Sequence, residues 1–297
     1  MNFKFLNNKI LKPKRVVIFG SSGIISKNLQ IRLQKDKINF IVFGKAEINL
    51  KKKKSEKMIK KMIKKNDTII FISAEAPVKN HEMLMNNIIM CENICNGLKN
   101  SSINQLIYIS SDAVYEDAKN SITEKTNASP TSLHGLMHLI RETMLKKYFN
   151  SKLCILRPTL IYGVGDTHLG YGPNRFLKLS LKNIDLNIFG NGEERRDHIL
   201  VDNIIDIMIK CINKKGVGNL NLATGKVISF MNIAKIILGM LNSKSKIKKI
   251  KRMGPMPHNG YRAFNIRSIK KNFKEVYISN ILEGLEIYLY KLKKYND

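Results

Sequence analysis

Short apolar runs rich in β-branched residues alternate, along the first half of the chain, with stretches of helical periodicity. The runs predict strands at Arg15–Phe19, Ile38–Phe43, Thr68–Ile72, Asn104–Ser110 and Lys152–Arg157. The helical stretches are Gly23–Lys35, Lys51–Lys65, His81–Leu98 and Leu133–Phe149. Because continuous apolar strands joined through helices are typical of a parallel sheet covered on both faces, the pattern predicts an α/β fold with a doubly wound sheet.

The pattern changes after Tyr162, where residues 163–174 are rich in glycine. Such a segment predicts a domain boundary or an active-site loop. Further helices are predicted at Asp202–Asn213 and Ser229–Leu241, and Ser243–Arg252 is interpreted as a basic linker.

The sequence VVIFGSSGIIS joins the first predicted strand to the first predicted helix and contains Gly20 and Gly23. Gly20 permits a tight turn, and Gly23 allows backbone N–H groups to approach a pyrophosphate at the positive end of the helix. The third position of the glycine pattern holds Ser26. A glycine there normally allows close packing of the helix on the strand, and serine is the mildest enlargement of it. In this context the motif predicts a dinucleotide site, with an ordinary strand-to-helix turn as the alternative.

A carboxylate is expected at the end of the second strand, where it would bind the ribose hydroxyls of the adenosine. The sequence there is FGKAE, with Gly44 and Lys45 at the positions that follow the strand. Without the acid a 2′-phosphate is not repelled, and Lys45 can pair with it. We therefore expect NADP or NAD as cofactor with a slight preference for NADP; the alternative is that Lys45 is simply exposed.

The net charge of +29 raises the question of an anionic partner, because a basic surface can bind nucleic acid or an anionic membrane. Ten of the 52 basic residues are Arg and 42 are Lys, and the chain is rich in Ile and Asn and lacks Trp. This composition is typical of an AT-rich genome, so we interpret much of the charge as mutational drift on a solvated surface. In Lys51–Lys65 the lysines cover the polar face of an amphipathic helix, without the aromatic residues on which bases stack. We expect no nucleic-acid partner, with an RNA-binding relative of the fold as a third reading.

No stretch approaches the roughly 18 consecutive apolar residues of a membrane helix, and the first residues lack a signal-peptide core. Four cysteines in 297 residues indicate no disulfide framework. Cys91 and Cys95 share a predicted helical face, which we interpret as core packing because no further ligands complete a metal site. We expect a cytoplasmic protein with no membrane partner and no metal.

Six segments carry a family resemblance: the glycine loop, ISSDAVYED, SPTSLHGLMHLIRE, LRPTLIYGVGD, FGNGEERRDHILVDNII and GNLNLATG. In their order and spacing the chain resembles the NAD-dependent epimerase/dehydratase family of extended short-chain dehydrogenases/reductases. The resemblance implies a Rossmann fold, a nicotinamide dinucleotide and a nucleotide-activated sugar as substrate. We expect residues 1–165 to form the dinucleotide-binding domain and residues 166–297 to form mainly the substrate-binding region, with parts that return to the Rossmann domain.

In this family a Ser, a Tyr and a Lys four residues after the Tyr carry out the chemistry. Ser111 occupies the Ser position, whereas the Tyr and Lys positions hold His134 and His138; Gly135 and Glu142 keep the family pattern. A neutral His134 is a competent base near neutral pH without a cationic helper, and His138 can hydrogen-bond the nicotinamide ribose. Three readings remain open: a His-based acid/base site, a catalytically weakened coenzyme-binding protein, and a metal bound by the two imidazoles.

Asp112 adds a constraint on the reaction. Dehydratases of the family carry an Asp–Glu pair after the catalytic Ser or Thr, and this chain has Asp112 followed by Ala113. The missing carboxylate disfavours elimination of water and leaves epimerisation or ketone reduction. Asp112 is a candidate proton donor, with a turn-capping role as the alternative.

The substrate side is predicted from arginines and a loop. Arg196 matches the family Arg that binds the substrate diphosphate, a task that suits a planar guanidinium. Arg262 falls where a second such Arg often lies, and Asn174 and Arg175 are expected to line the same cleft. The alternative for each Arg is a surface ion pair. A family Asn is replaced by Leu160, so one substrate contact is absent.

The resemblance also implies which residues contact the coenzyme. These are Gly20, Ser22, Gly23, Ile24, Ile25, Lys45, Asn49, Leu50, Ser73, Ala74, Asn87, Ser110, His138 and Pro158. Family members are commonly dimers through two long helices, here His81–Leu98 and Leu133–Phe149, so a homodimer is expected. The predicted function is an NAD(P)-dependent nucleotide-sugar epimerase or reductase with a Ser/His/His site; the alternative is a non-enzymatic dinucleotide-binding protein.

Overall fold

The computed structural model describes residues 2–118, 120–166 and 169–296; Thr167 and His168 of the glycine-rich loop lie outside them. The strands are β1 (Lys4–Phe5), β2 (Val16–Phe19), β3 (Phe40–Phe43), β4 (Thr68–Phe71), β5 (Gln105–Ile109), β6 (Leu153–Pro158), β7 (Leu160–Tyr162), β8 (Leu186–Phe189), β9 (Arg195–Leu200), β10 (Gly216–Leu222), β11 (Val227–Ser229), β12 (Ile247–Ile250) and β13 (Tyr261–Arg262). The helices are α1 (Ile24–Lys35), α2 (Ser55–Met62), α3 (His81–Leu98), α4 (Leu133–Phe149), α5 (Pro173–Leu181), α6 (Val201–Asn213), α7 (Phe230–Leu241), α8 (Arg267–Asn272) and α9 (Ile281–Asn296).

A seven-stranded sheet forms the centre of the fold, in the order β1-β10-β6-β5-β4-β2-β3. Its strands are parallel, except that β1 runs antiparallel to β10. The strands are apolar on both sides, and one face packs against α1 and α6 while the other packs against α2, α3 and α4. The predicted α/β fold with a doubly wound sheet is confirmed.

The position of β2 in this order creates a crevice. The strand lies between β3 and β4, so the chain crosses to one side after β2 and to the other side after β3. At such a switch point the loops that follow two neighbouring strands lead away in opposite directions and leave a gap at the carboxyl edge of the sheet. The glycine loop between β2 and α1 lies in this gap.

The later part of the chain contributes to two regions. β10 and α6 belong to the large sheet and its core. A smaller sheet contains β7, β9, β11 and β13, and β8 pairs with β12. The helices α5, α7 and α9 cover this second region through an apolar cluster that includes Tyr162, Phe176, Phe230, Ile237 and Leu285.

Two predicted elements differ from the structure. The helix expected over Lys51–Lys65 is shorter, because the backbone carbonyl of Met62 accepts a hydrogen bond from Arg15 at 2.9 Å and Ile63 is extended. The expected linker Ser243–Arg252 contains β12, paired in parallel with β8. Ile247 and Ile250 supply the partly buried positions of that strand. The two lysines between them made the segment look polar, so the strand was not predicted.

The four cysteines are buried as free thiols, within or beside the core. Among the described residues, no helix combines the length and apolar character needed to cross a bilayer.

Candidate active site

The glycine loop is shaped by a close approach between two strands. Gly20 has a φ of +116°, which disfavours any side chain, and a Cβ at this position would lie 2.9 Å from the backbone nitrogen of Ser73 after β4. The backbone nitrogens of Ile72 and Ser73 both donate to the carbonyl of Phe19. The turn therefore requires glycine for both conformation and space.

Ser26 has a structural role in the loop. Its hydroxyl donates to the carbonyl of Gly20 at 2.5 Å and accepts from the amide of Gln30 at 3.0 Å. Gln30 also donates to the carbonyl of Ser21. In place of the third glycine, the chain thus has a hydroxyl that fixes the start of the loop to the first turn of α1.

The N-terminus of α1 fits an anionic group. The helix begins after Gly23 with no side-chain cap and no acidic residue in its first turn. A Cβ built on Gly23 would meet nothing within 4 Å, so the space beside it is open. Uncapped N–H groups at the positive end of a helix favour a phosphate. This part of the chain therefore has the donor set that a dinucleotide pyrophosphate needs.

Many predicted coenzyme contacts share one cavity along the carboxyl edge of the sheet. The cavity is lined by Gly20, Ser22, Lys45, Asn49, Leu50, Ser73 and Ala74, together with Ser21, Gly44, Ile48, Lys51, Glu75 and Met90. Ile25 instead packs in the core beneath α1, with Ile24 against it. Pro158 is buried at the end of β6, opposite Leu222.

A carboxylate lies in the turn that follows the second parallel strand, a few residues beyond the position where an acid was expected. Glu47 folds back, and its Oε2 accepts a hydrogen bond from the backbone nitrogen of Gly44 at 2.7 Å. The side chain of Glu47 is exposed, as is that of Lys45. The preference for NADP, which was drawn from the lack of an acid directly after the strand, therefore finds no support.

The two histidines of the expected catalytic pattern lie on one face of α4. The helix begins at Leu133, and the hydroxyl of Ser132 caps it by accepting from the nitrogen of Gly135. The rings of His134 and His138 meet edge to face with centroids 4.8 Å apart. His138 is buried, and its Nδ1 lies 2.7 Å from the hydroxyl of Tyr108 on β5.

Both imidazoles are held neutral. Burial lowers the pKa of His134, and the opposing attraction of Asp112 does not compensate. Burial lowers the pKa of His138 well below its usual value, and the neighbouring His134 and Arg141 lower it further. The Nδ1 atom of His134 is buried without a hydrogen-bond partner among the described residues. The resting state of the His134 ring is thus a neutral imidazole rather than a cation.

Ser111 lies on a turn that packs directly against α4. Its hydroxyl caps the turn Asp112–Val114 by accepting from the nitrogen of Ala113 at 3.1 Å. A Cβ on Gly135 would lie 2.0 Å from the carbonyl oxygen of Ala113, so only glycine allows this contact. The contact brings the Ser111 turn to the first turn of α4, beside His134.

Asp112 is an ion-pair partner in this structure. Its Oδ2 accepts from Nε of Arg262 at 3.0 Å, and a nitrogen of Arg196 lies 4.0 Å away. Arg262 is buried and also donates to Asp117 at 3.0 Å. Arg196 donates to Glu194 at 3.2 Å. The two arginines predicted to bind a diphosphate therefore converge on Asp112, and internal carboxylates neutralise both.

Asn174 and Arg175 have different surroundings. Asn174 is buried and donates to the carboxylate of Asp166 at 2.7 Å, while its oxygen accepts from the nitrogen of Gly163. Arg175 is exposed and lines a separate depression with Lys178. Successive residues of a helix point about 100° apart, so neighbours in sequence face different surroundings.

Two further predicted coenzyme residues serve internal contacts. The amide of Asn87 is buried and bonds the backbone of Glu75 and the guanidinium of Arg141. The hydroxyl of Ser110 donates to Glu142 at 2.7 Å.

Three site-forming residues escaped sequence reasoning. Tyr108 lies in an apolar strand pattern, and its partner is 30 positions away. Arg141 is fully buried and donates to the carbonyls of Ser73 and Asn87. Glu47 lies three residues beyond the place where the acid was sought. An Arg on the buried stripe of α4 was the available signal for Arg141, because a charge there needs internal acceptors.

No group of three or more His, Cys, Asp or Glu residues in the described part of the chain is arranged as metal ligands.

Comparison with known proteins identifies the family. The model of the NAD dependent epimerase/dehydratase family matches residues 16–223. The dTDP-D-glucose 4,6-dehydratase of Dictyostelium discoideum is 26% identical over 279 residues. That match covers 79% of this chain and 64% of the relative, so this chain spans a little less than two thirds of the relative's length.

Solved structures share the fold at lower identity. The UDP-glucose 4-epimerase of Thermotoga maritima, solved with UDP-glucose, has a TM-score of 0.83 at 16% identity over 95% of this chain and 100% of that chain. The UDP-glucuronic acid 4-epimerase of Bacillus cereus, solved with UDP-glucuronic acid and NAD, has a TM-score of 0.78 at 18% identity over 94% and 99% of the two chains. With its family model matched over more than half its length, this chain belongs to the NAD-dependent epimerase/dehydratase family of extended short-chain dehydrogenases/reductases.

Proposed function

We propose that this protein is an NAD-dependent nucleotide-sugar epimerase or reductase that uses Ser111, His134 and His138 in place of a Ser/Tyr/Lys set. The observation that supports the proposal is the packing of the Ser111 turn on Gly135, the residue that follows His134 at the start of α4. The glycine loop opens at the carboxyl edge of the sheet.

The residues divide the work of oxidising a sugar hydroxyl, which loses a proton from oxygen and a hydride from carbon. When bound, the nicotinamide would supply the hydride acceptor. His134 takes the proton, because its ring is neutral at physiological pH. Ser111 orients the hydroxyl, and His138 bonds the nicotinamide ribose. Return of the hydride to the opposite face of the sugar would give an epimer. A reductase would run the step in reverse, with a keto sugar taking up hydride at carbon from the reduced coenzyme and a proton at oxygen.

The proposed coenzyme is NAD, on the basis of a carboxylate that bonds Gly44 in the cavity lining. The carboxylate of Glu47 accepts from Gly44 and has a second oxygen for a ribose hydroxyl. A negative charge there disfavours a 2′-phosphate, although exposed Lys45 lies two residues away. The Bacillus cereus epimerase of the same fold was solved with NAD. The preference for NADP drawn from the sequence finds no support.

A nucleotide diphosphate is the proposed substrate group, with Arg196 and Arg262 as its ligands. Both guanidiniums now face Asp112, so a diphosphate would compete with that carboxylate for them. Asp112 is thereby a partner of arginine, and Ala113 supplies no second carboxylate. Both features favour epimerisation or reduction over elimination of water.

A catalytically weakened, dinucleotide-binding protein is the second candidate. The specific observation in its favour is the bonding of Arg262, whose three guanidinium nitrogens already bond Asp112, Asp117 and the carbonyl of Tyr115. A site satisfied in this way binds substrate weakly. In this case the chain would bind NAD and not turn over sugar.

Two measurements separate the candidates. Calorimetry measures binding of NAD, NADH, NADP and NADPH. Nicotinamide absorbance then measures turnover in the presence of UDP-, dTDP- and ADP-sugars. Coenzyme binding with turnover supports the enzyme, and binding without turnover supports the weakened protein. A well-folded sample that binds no coenzyme contradicts both. Binding of RNA that weakens steeply with salt, without coenzyme binding, would support the third reading instead.

We also propose a cytoplasmic homodimer that pairs through α3 and α4, with residues 1–165 holding the coenzyme and residues 166–297 mainly the substrate. The two helices pack side by side and expose Met85 and Leu136. Sedimentation analysis of the wild-type chain and of Met85→Lys/Leu136→Lys tests the pairing: a monomeric wild type contradicts it, and dissociation by the charges supports it.

A further inference from the structure

The hydrogen bond between Tyr108 and His138 links the sheet to the catalytic face of α4. Tyr108 lies on the central strand β5 and is 1% exposed, with its ring against Phe71 at a centroid distance of 5.4 Å. Its hydroxyl meets Nδ1 of His138 at 2.7 Å. The bond is therefore short, buried and held by core packing on both sides.

The protonation states of the two groups and their hydrogen-bond partners indicate which atom carries the proton. Burial raises the pKa of the Tyr108 phenol and lowers that of His138, so both groups are neutral. Within the described residues the Tyr108 hydroxyl has one hydrogen-bond partner, Nδ1 of His138. If His138 donated the proton, the buried phenol hydrogen would be left without an acceptor.

We infer that Tyr108 donates its hydroxyl proton to Nδ1 of His138 and so holds this imidazole in the neutral tautomer that carries its hydrogen on Nε2. The Nε2 atom of His138 makes no hydrogen bond to any described residue, and it is not fully buried. It is thus the ring nitrogen that remains available to a ligand. With its tautomer fixed, His138 can donate a hydrogen bond only from Nε2.

On the proposed function, this donor replaces the ammonium group that the family pattern places at position 138. A neutral N–H can bond a ribose hydroxyl without adding charge beside His134. The positive charge of this region belongs instead to Arg141, whose nitrogens donate to Ser73, Asn87 and Met90 beneath the site. Tyr108 is thereby a positioning residue, because it acts on coenzyme through His138.

The tautomer can be read directly by NMR. The full-length protein is labelled with ¹⁵N-histidine, and long-range ¹H–¹⁵N correlations are recorded at neutral pH without coenzyme; the spin system lost in His138→Asn assigns the residue. We expect Nδ1 of His138 to have the shift of an unprotonated nitrogen and Nε2 that of a protonated one. In Tyr108→Phe we expect the two shifts to move toward the average of a mixed population.

Tyr162→Phe is the matched control. It removes a phenol hydroxyl that is equally buried but has no hydrogen-bond partner in the described residues, and it should leave the His138 shifts unchanged. A wild-type His138 with its proton on Nδ1, or an imidazolium, would overturn the inference, as would unchanged shifts in Tyr108→Phe. The wild-type spectrum decides the tautomer even where Tyr108→Phe does not fold.

Coenzyme binding then separates this inference from the proposed function. We expect Tyr108→Phe to raise the Kd for NAD by about five- to tenfold, the loss of one oriented hydrogen bond, while Tyr162→Phe leaves it unchanged. A wild type with the Nε2–H tautomer that binds no NAD would contradict the proposed function and leave the role of Tyr108 in the tautomer standing. A Tyr108→Phe variant with mixed tautomers and wild-type NAD affinity would overturn the positioning role.

Discussion

The carboxylate of Glu142 is held in two places by the guanidinium of Arg157, at 2.8 Å and 2.5 Å, where both side chains are almost completely buried. Burial opposes ionisation of Glu142, but the hydrogen bonds and charge of Arg157 keep its pKa below the usual value. Because Glu142 lies on α4 and Arg157 on β6, this pair ties the helix that carries both histidines to the sheet.

Loss of one partner should therefore destabilise the protein strongly. We expect Arg157→Met to lower the free energy of unfolding by about 3–5 kcal/mol, because a carboxylate remains buried without its counter-ion. Urea denaturation measures the change. The double variant Glu142→Gln/Arg157→Met should recover part of the loss. As a control, Lys53→Met removes an ion pair between an exposed lysine and partly exposed Glu56 and should cause no measurable change in stability. A loss below about 1 kcal/mol in Arg157→Met would contradict the buried pairing.

Gly20 and Gly23 of the glycine loop should respond differently to substitution by alanine. Gly20→Ala places a Cβ at a positive φ and against Ser73, and should cost about 1–3 kcal/mol of stability. Gly23→Ala meets open space, so stability should change by less than about 0.5 kcal/mol while NAD binding weakens. Thermal unfolding and calorimetry give the two quantities. Wild-type NAD affinity in Gly23→Ala would show that the pyrophosphate does not lie on this loop.

Substitution of His134 tests the proposed chemistry. His134→Phe keeps a flat ring and removes the proton acceptor, so kcat should fall by about 10²–10⁴-fold. His81→Phe, at an exposed position on α3, is the control and should retain activity. Equal kcat for His134→Phe and wild type would remove the residue from the mechanism. A higher kcat for His134→Tyr than for wild type would favour the weakened-protein alternative.

Discrimination between coenzymes should depend on Glu47. In Glu47→Gln the oxygen that bonds Gly44 remains but the charge is lost, so the preference for NAD over NADP should narrow. Lys45→Ala should leave NAD affinity unchanged. Calorimetric Kd values for both coenzymes decide the question. A wild type that prefers NADP, with that preference abolished by Lys45→Ala, would contradict the assignment to Glu47.

Stability should fall in mild acid because of buried histidines. Burial lowers the pKa of His198 to about 3 and that of His138 well below its usual value. The unfolded chain takes up a proton on each ring below about pH 6.5 while the folded chain does not, so stability is complete above that pH and is lost below it. By about pH 5 the His198 ring should cost about 2 kcal/mol, and the His138 ring should add to the loss.

Urea denaturation at the two pH values measures this loss. His198→Phe should reduce this loss, because phenylalanine takes up no proton. The position should accept phenylalanine, since the His198 ring lies against Phe230 and its Nε2 has no hydrogen-bond partner in the described residues. His81→Phe should leave the loss unchanged. Equal stability at both pH values would contradict the buried neutral state of the histidines.

The sequence predicted the fold because its elements are locally consistent. α3 and α4 have the predicted bounds, since Asn80 and Ser132 cap them and their apolar stripes have helical spacing. β12 was missed because its apolar positions are partly buried and separated by lysines, a pattern that polarity alone assigns to a linker. Local signals therefore sufficed wherever an element buries a continuous face.

The candidate site was less predictable because its contacts are long-range. Motif spacing indicated Ser111, His134 and His138, and whether they act in catalysis stays a prediction. No local pattern indicates that Arg262, 150 residues further along the chain, bonds Asp112, or that Tyr108 bonds His138. Such pairings depend on how the sheet brings distant strand ends together, and one sequence carries no direct signal of them.

The position of β3 as the last strand of the sheet has a consequence for solubility. One side of this strand bears backbone groups that are not paired within the sheet, whereas the other edge is protected by the brevity of β1. An open edge can template aggregation between molecules, and like charges oppose such encounters. The surplus of 29 positive charges thus provides colloidal repulsion, and salt above about 0.5 M, which shortens the Debye length to a few ångströms, should promote precipitation.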